Sequence, residues 1–151
     1  MRPFTLPGFS TSFVSTRGRK LGMTLAIVDG PTIAQGESLS DGADCSAGDI
    51  VRITVPQEFT EANLTFQVSS DGNLYNDLYD ARGSEVTVTA KPDTGIVIQG
   101  EVWGRSINFL KLRSGTREHP VVQRDECKFA IAIETPTGAA AAEAMKGPGR
   151  R

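Results

Sequence analysis

The chain has 151 residues, 38% of them hydrophobic, and a formal net charge of −2. That length and apolar fraction fit one globular domain with a single core, and apolar runs such as residues 25–28 and 129–133 are far too short to cross a bilayer. The charge is unevenly placed: residues 1–22 carry +4, residues 23–138 carry −8 and residues 139–151 carry +2, so the acidic body lacks the concentrated cationic surface that nucleic-acid phosphates require.

Residues 1–22 contain Arg2, Arg17, Arg19 and Lys20, and no apolar run of signal-peptide length. Phe4, Leu6, Phe9, Phe13 and Val14 lie among prolines, glycines and serines, a composition that offers apolar anchors and no core of its own. This segment is expected to be an arm that orders on a neighbouring subunit, with Phe4, Phe9 and Phe13 in its pockets and Arg17, Arg19 and Lys20 facing acidic protein. The alternative, a true start at Met23, stays open.

From Asp49 on a period of two recurs, the mark of half-buried antiparallel strands, and residues 23–135 are expected to form one domain. "DIVRITV" (49–55) sets Val51, Ile53 and Val55 on one face and Arg52 and Thr54 on the other. "LTFQV" (64–68) turns Leu64, Phe66 and Val68 inward and Thr65 and Gln67 outward; "EVTVTA" (85–90), "FLKLR" (109–113) and "KFAIAIE" (128–134) repeat the alternation. Further strands are expected in "TLAIV", "TIAQGESL", "LYNDLY" and "GIVIQ", making eight or nine in all. "PQEFTEAN" (56–63) allows at most one helical turn. Asp71-Gly72 and Gly83 mark tight reversals. The expected fold is an all-β antiparallel sandwich of the jelly-roll kind, with Val51, Ile53, Leu64, Phe66, Val88, Leu110, Leu112, Phe129 and Ile131 in its core. Residues 136–151 have no core face, and "AAAAEAMK" is too short to hold a helix in water; a flexible tail is expected.

Residues with chemical potential are few. His119, the single histidine, precedes Pro120 in a loop, and no nucleophile-elbow motif accompanies it. Asp71, Asn73, Asp77 and Asp80 cluster in sequence but break EF-hand spacing, because Gly72 falls at position two of the loop and no Glu occupies position twelve. Tyr75, Tyr79 and Trp103 form a candidate platform for a glycan, weighed against service as ordinary core and rim aromatics. Cys45 and Cys127 lack zinc spacing; they are either two reduced thiols or a candidate disulfide. The reading assigns no catalytic residue, no metal ligand and no cofactor.

The run from "TIAQGESLS" through "ANLTFQVSSDG" and "DLYD" to "FLKLRSGT" and "PVVQ", residues 31–134, resembles a family of small proteins encoded among the virion genes of tailed bacteriophages and related prophages. Its L-T-F-Q-x-S-x-D-G turn is also similar to discoidin-type and other carbohydrate-binding β-sandwiches. The resemblance implies a jelly roll and a non-enzymatic virion component, assembled in the bacterial cytoplasm, that decorates the capsid or sits on the collar or tail. Its implied partners are other virion subunits, including further copies of itself; the alternative is a carbohydrate-binding module for host attachment. Neither membrane nor nucleic acid is expected as a partner. Cys45, Cys127 and both basic ends lie outside the pattern.

Overall fold

The computed structural model describes residues 22–136. The arm residues Phe4, Phe9, Phe13, Arg17, Arg19 and Lys20, and the expected tail beyond Pro136, lie outside that range. Leu25–Glu134 is a compact unit that carries the fold and the candidate site. Eight strands are present among the described residues: β1 (Met23–Ile33), β2 (Ala43–Asp44), β3 (Asp49–Val55), β4 (Leu64–Ser69), β5 (Asn76–Asp77), β6 (Thr94–Val97), β7 (Phe109–Ser114) and β8 (Cys127–Pro136). No helix among these residues is long and apolar enough to cross a membrane.

The strands form two four-stranded sheets, ordered β1-β8-β3-β6 and β2-β7-β4-β5. Each strand of the first half pairs with its counterpart counted from the other end: β1 with β8, β2 with β7, β3 with β6 and β4 with β5. One long antiparallel hairpin, rolled up so that successive strands alternate between sheets, gives this order, and that is a jelly roll.

Between the sheets lie the inward residues of both. Ile33, Ile53, Leu64, Phe66, Leu110, Leu112 and Ile131 are wholly buried, and Phe129 meets Phe59 edge to face at 5.7 Å. Burying a side chain of this size contributes about 1.5–3 kcal/mol each. A buried amide closes one end: Gln123 Oε1 accepts from Thr60 N at 2.7 Å and its Nε2 donates to Thr60 O at 3.0 Å, pinning the 56–63 loop to the approach to β8.

Four expectations need correction. Val51 is only half buried, because a β-bulge between Ile50 and Arg52 adds a residue to β3 and turns Ile50, 2% exposed, into the core instead. Thr65 and Arg113, placed outward by alternation, are 0% and 8% exposed, since the far face of their sheet carries a polar layer of its own. "EVTVTA" makes only isolated bridges, Leu64 with Val88 and Tyr79 with Glu85, so Val88 packs half-buried at an edge. "TIAQGESL" divides between the end of β1, a turn at Gln35-Gly36 and a lone bridge from Leu39 to Arg113. The 56–63 loop contains turns and bends and no helix.

The bulge yields an opposed pair of outcomes. Ile50→Ala should lower stability by about 2–5 kcal/mol and Phe66→Ala by about 3–5 kcal/mol, whereas Val51→Ala should cost clearly less than Ile50→Ala. Urea denaturation of the three variants checks this, and a larger loss at Val51 than at Ile50 would contradict the bulge.

Candidate functional site

Between β5 and β6 the chain doubles back along the edge of the second sheet. Asp80 builds the reversal: its Oδ1 accepts from Arg82 N and Ser84 N, both at 2.9 Å, while Asp80 N donates to Ser84 O and Gly83 sits at φ +87°. The returning segment is held by Val86 N to Leu78 O and by reciprocal bonds between Val88 and Leu64. After β6 the chain enters a short 3-10 turn, Val102–Arg105. Gly104 approaches β3 so closely that a Cβ would lie 2.9 Å from Ile50 O, which excludes any larger residue without displacement. The turn drives the Trp103 ring onto Phe66, 4.8 Å between centroids.

These pieces enclose a groove of about 830 Å³ between the edges of the two sheets. Val86, Val88, Ile96 and Trp103 form its half-buried apolar lining, Val97 and Val102 are 74% and 76% exposed at its mouth, and Asp80, Arg82, Glu85 and Glu101 lie at its margin. In β6 the Ile98 N bond to Val51 O fixes the alternation, so Gly95 and Val97 turn their backbone polar groups away from β3.

The wall on the side of Glu85 is anchored by an ionic cluster. Arg113 Nη2 donates to Asp77 Oδ1 at 2.5 Å, and Nη1 donates to Glu85 Oε2 at 3.1 Å and Thr65 Oγ1 at 3.3 Å. Thr65 Oγ1 in turn donates a hydrogen bond to Gly115 O, Gln67 Nε2 donates to Asp77, and the Arg117 backbone N–H donates to Glu85 while its Nε lies 3.5 Å from Asp77 Oδ2. Burial alone raises the Asp77 pKa, but the hydrogen bonds from Arg113 and Gln67 and the charges of Arg113 and Arg117 outweigh it and hold the carboxyl below its usual range. Tyr79, at the groove's margin, raises the Arg117 pKa, with the charge of Asp77 adding to it.

Of the three aromatics read as a platform, the groove brings together Tyr79 and Trp103. Tyr75 stands apart, half buried against Gly42 with Lys111 Nζ 4.4 Å above its ring. The carboxylate of Asp71 is engaged by its own turn, accepting from Asn73 N at 2.8 Å, Leu74 N at 3.1 Å and Ser69 Oγ at 2.9 Å. These bonds, Asn73 foremost, lower its pKa. Among the described residues no three His, Cys, Asp or Glu gather as metal ligands. His119 is exposed in a tight turn, its backbone N bonded to Thr116 Oγ1.

Cys45 and Cys127, weighed as a disulfide, are separate free thiols, both buried. Burial, aided by the charge of Asp44, pushes Cys45 up to about 12. Burial also raises Cys127, whose Sγ lies 3.2 Å from Gln123 Oε1.

Sequence reasoning missed the ionic cluster and the exposed valines of the groove. A search of the chain against protein-family models finds no match, and a comparison with curated proteins finds none either.

Two measurements probe this region. Arg113→Ala should destabilise by about 3–5 kcal/mol, because it leaves two largely buried carboxylates facing each other. The folded pKa of Asp77 lies below its unfolded value, so its contribution is complete above the unfolded carboxylate range and is lost as pH falls through the folded value. Chemical denaturation below about pH 4 should therefore show a shallower acid loss in Asp77→Asn than in the parent. A thiol reagent at neutral pH should label neither cysteine in folded protein and both in denaturant; rapid native labelling would contradict the burial of both sulfurs.

Proposed function

We propose that this chain is a non-enzymatic structural component of a tailed-bacteriophage virion that binds neighbouring capsid, collar or tail subunits. The observation that carries the reading is the groove: an apolar trough between two sheet edges, with Val97 and Val102 presented to solvent at its mouth. Apolar surface of this kind, margined by charged residues, is the usual form of a protein contact. The resemblance over residues 31–134 supplies the virion context. The jelly roll recurs in capsid and lectin domains, which supports the reading only as fold-level analogy.

A second reading has one observation in its favour. Tyr79 and Trp103 share the groove with Asp80, Glu85 and Glu101, so a sugar could stack on a ring while its hydroxyls meet carboxylates. It assigns the chain to host-surface attachment.

Mass spectrometry of purified particles should find the protein at a copy number set by the symmetry of its position. Val97→Arg, at a position exposed enough to leave the fold intact, should reduce particle occupancy by about tenfold, equivalent to ~1.4 kcal/mol. Retention of a cell-surface polysaccharide, lost in Trp103→Ala while particle binding persists, would favour the second reading. Absence of the protein from particles would defeat both.

A further inference from the structure

The groove does not stop at Val102. That residue and Glu101 also line a second depression, of about 270 Å³, together with Asp49, Gln99, Arg105 and Glu134. An apolar trough and a polar pocket therefore adjoin across Val102, which is 76% exposed.

The pocket is acidic because of how its strands are registered. Asp49 opens β3, and Glu134 of β8 stands directly opposite it in the antiparallel ladder. Like charges facing each other across two strands repel and weaken the pairing. Glu101, at the head of the 3-10 turn, makes no side-chain cap and brings a third carboxylate to the pocket, against the single guanidinium of Arg105. The charges along the trough are answered closer to home. Glu85 is paired with Arg113, and the Asp80 carboxylate accepts from the backbone of its own turn. Attraction for a cation is thus concentrated at one end of the trough, beyond Val102.

We propose that trough and pocket together bind a segment of a partner protein in which apolar side chains stand next to lysine or arginine. The apolar groups cover Val88, Ile96 and Trp103, and the cation enters between Asp49, Glu101 and Glu134. This rests on reading the groove as a protein contact, and it names the chemistry of what is contacted. Charge complementarity selects the occupant: a neutral sugar leaves the repulsion between Asp49 and Glu134 in place, whereas a cation relieves it. A bare metal ion fits less well, since no three carboxylates among the described residues converge as metal ligands. An ammonium or guanidinium on a flexible stem presents several donors and does not require such convergence. The stem itself is apolar and crosses the exposed Val102 without cost.

Fluorescence anisotropy of the full chain tests this with two labelled peptides, Phe-Val-Ser-Lys-Arg and its reverse Arg-Lys-Ser-Val-Phe, which offer both orders along the groove. At least one should bind. Replacing its two cations with glutamine, or its two apolar residues with serine, should weaken binding by about tenfold or more. Raising sodium chloride from about 50 to about 500 mM should weaken the basic peptide severalfold and leave the glutamine version unchanged. Glu101→Lys, at an exposed position, should cost about tenfold with unchanged circular dichroism. Glu126→Lys, an equal change of net charge at the opposite end of β8 from Glu134, should cost far less. Failure of both peptides, or equal binding of the basic and glutamine versions, would overturn the proposal. So would equal losses in Glu101→Lys and Glu126→Lys, which would reduce the effect to overall charge. If neither peptide binds while Val97→Arg still lowers particle occupancy, the groove remains a protein contact and only its basic occupant is wrong. If a peptide binds as expected while particles lack the protein, the occupant stands and the virion reading falls.

Discussion

A guanidinium in the middle of a β-sheet determines how the rest of this molecule is arranged. Arg113 lies on β7, a central strand, and is 8% exposed. A buried cation is tolerable only when each of its donors finds an acceptor and its charge is matched. Asp77 on β5, Glu85 on the returning segment and Thr65 on β4 meet those demands. One side chain thus ties together two strands and a stretch that would otherwise be only loosely bridged. Because Glu85 is held, Val86 and Val88 are held behind it, and the groove has a wall.

The two sheets consequently differ in what they show to water. The outer surface of the β2-β7-β4-β5 sheet satisfies itself: ionic pairs, the Thr65 hydroxyl and the Gly115 carbonyl consume one another's hydrogen-bonding capacity. On the other sheet Leu25 and Ile27 of β1 are exposed beside the Asp29–Lys128 pair, and the groove with Val97 and Val102 at its mouth opens beside β6. One side of the molecule is closed by its own chemistry, and the other retains apolar surface.

Much of this fold was legible in the sequence, since period-two alternation needs only a core on one side and water on the other. That condition held for Leu110, Leu112, Phe129 and Ile131, and it failed where a face was neither. Thr65 and Arg113 look solvent-facing by parity, yet their partners Asp77 and Glu85 lie on segments too short or irregular to announce themselves as a layer. Val51 and Ile50 exchanged roles through a bulge that adjacent valine and isoleucine cannot signal. Tyr79 and Trp103 line one groove, but that groove depends on the 3-10 turn and on Gly104, whose need for smallness arises from the backbone of β3 rather than from any neighbour in sequence. Tyr75 is close to Tyr79 in sequence, yet it lies on the other side of the short β5, against Gly42 and Lys111 and away from the groove.

The rolled-hairpin order has a kinetic consequence. Pairing β4 with β5 closes a short loop, whereas pairing β1 with β8 must bring together strands from the two extremes of the domain, the contact with the greatest loop-closure entropy and the least local help. While that closure is incomplete, the edge of β1 that β8 covers is open, and Val28, which packs against the core in the folded chain, is uncovered. β1 is thus the strand that the folding chain secures with most difficulty. During synthesis at high concentration, docking of β8 and premature aggregation therefore compete for the same strand, eleven residues and roughly 36 Å of backbone.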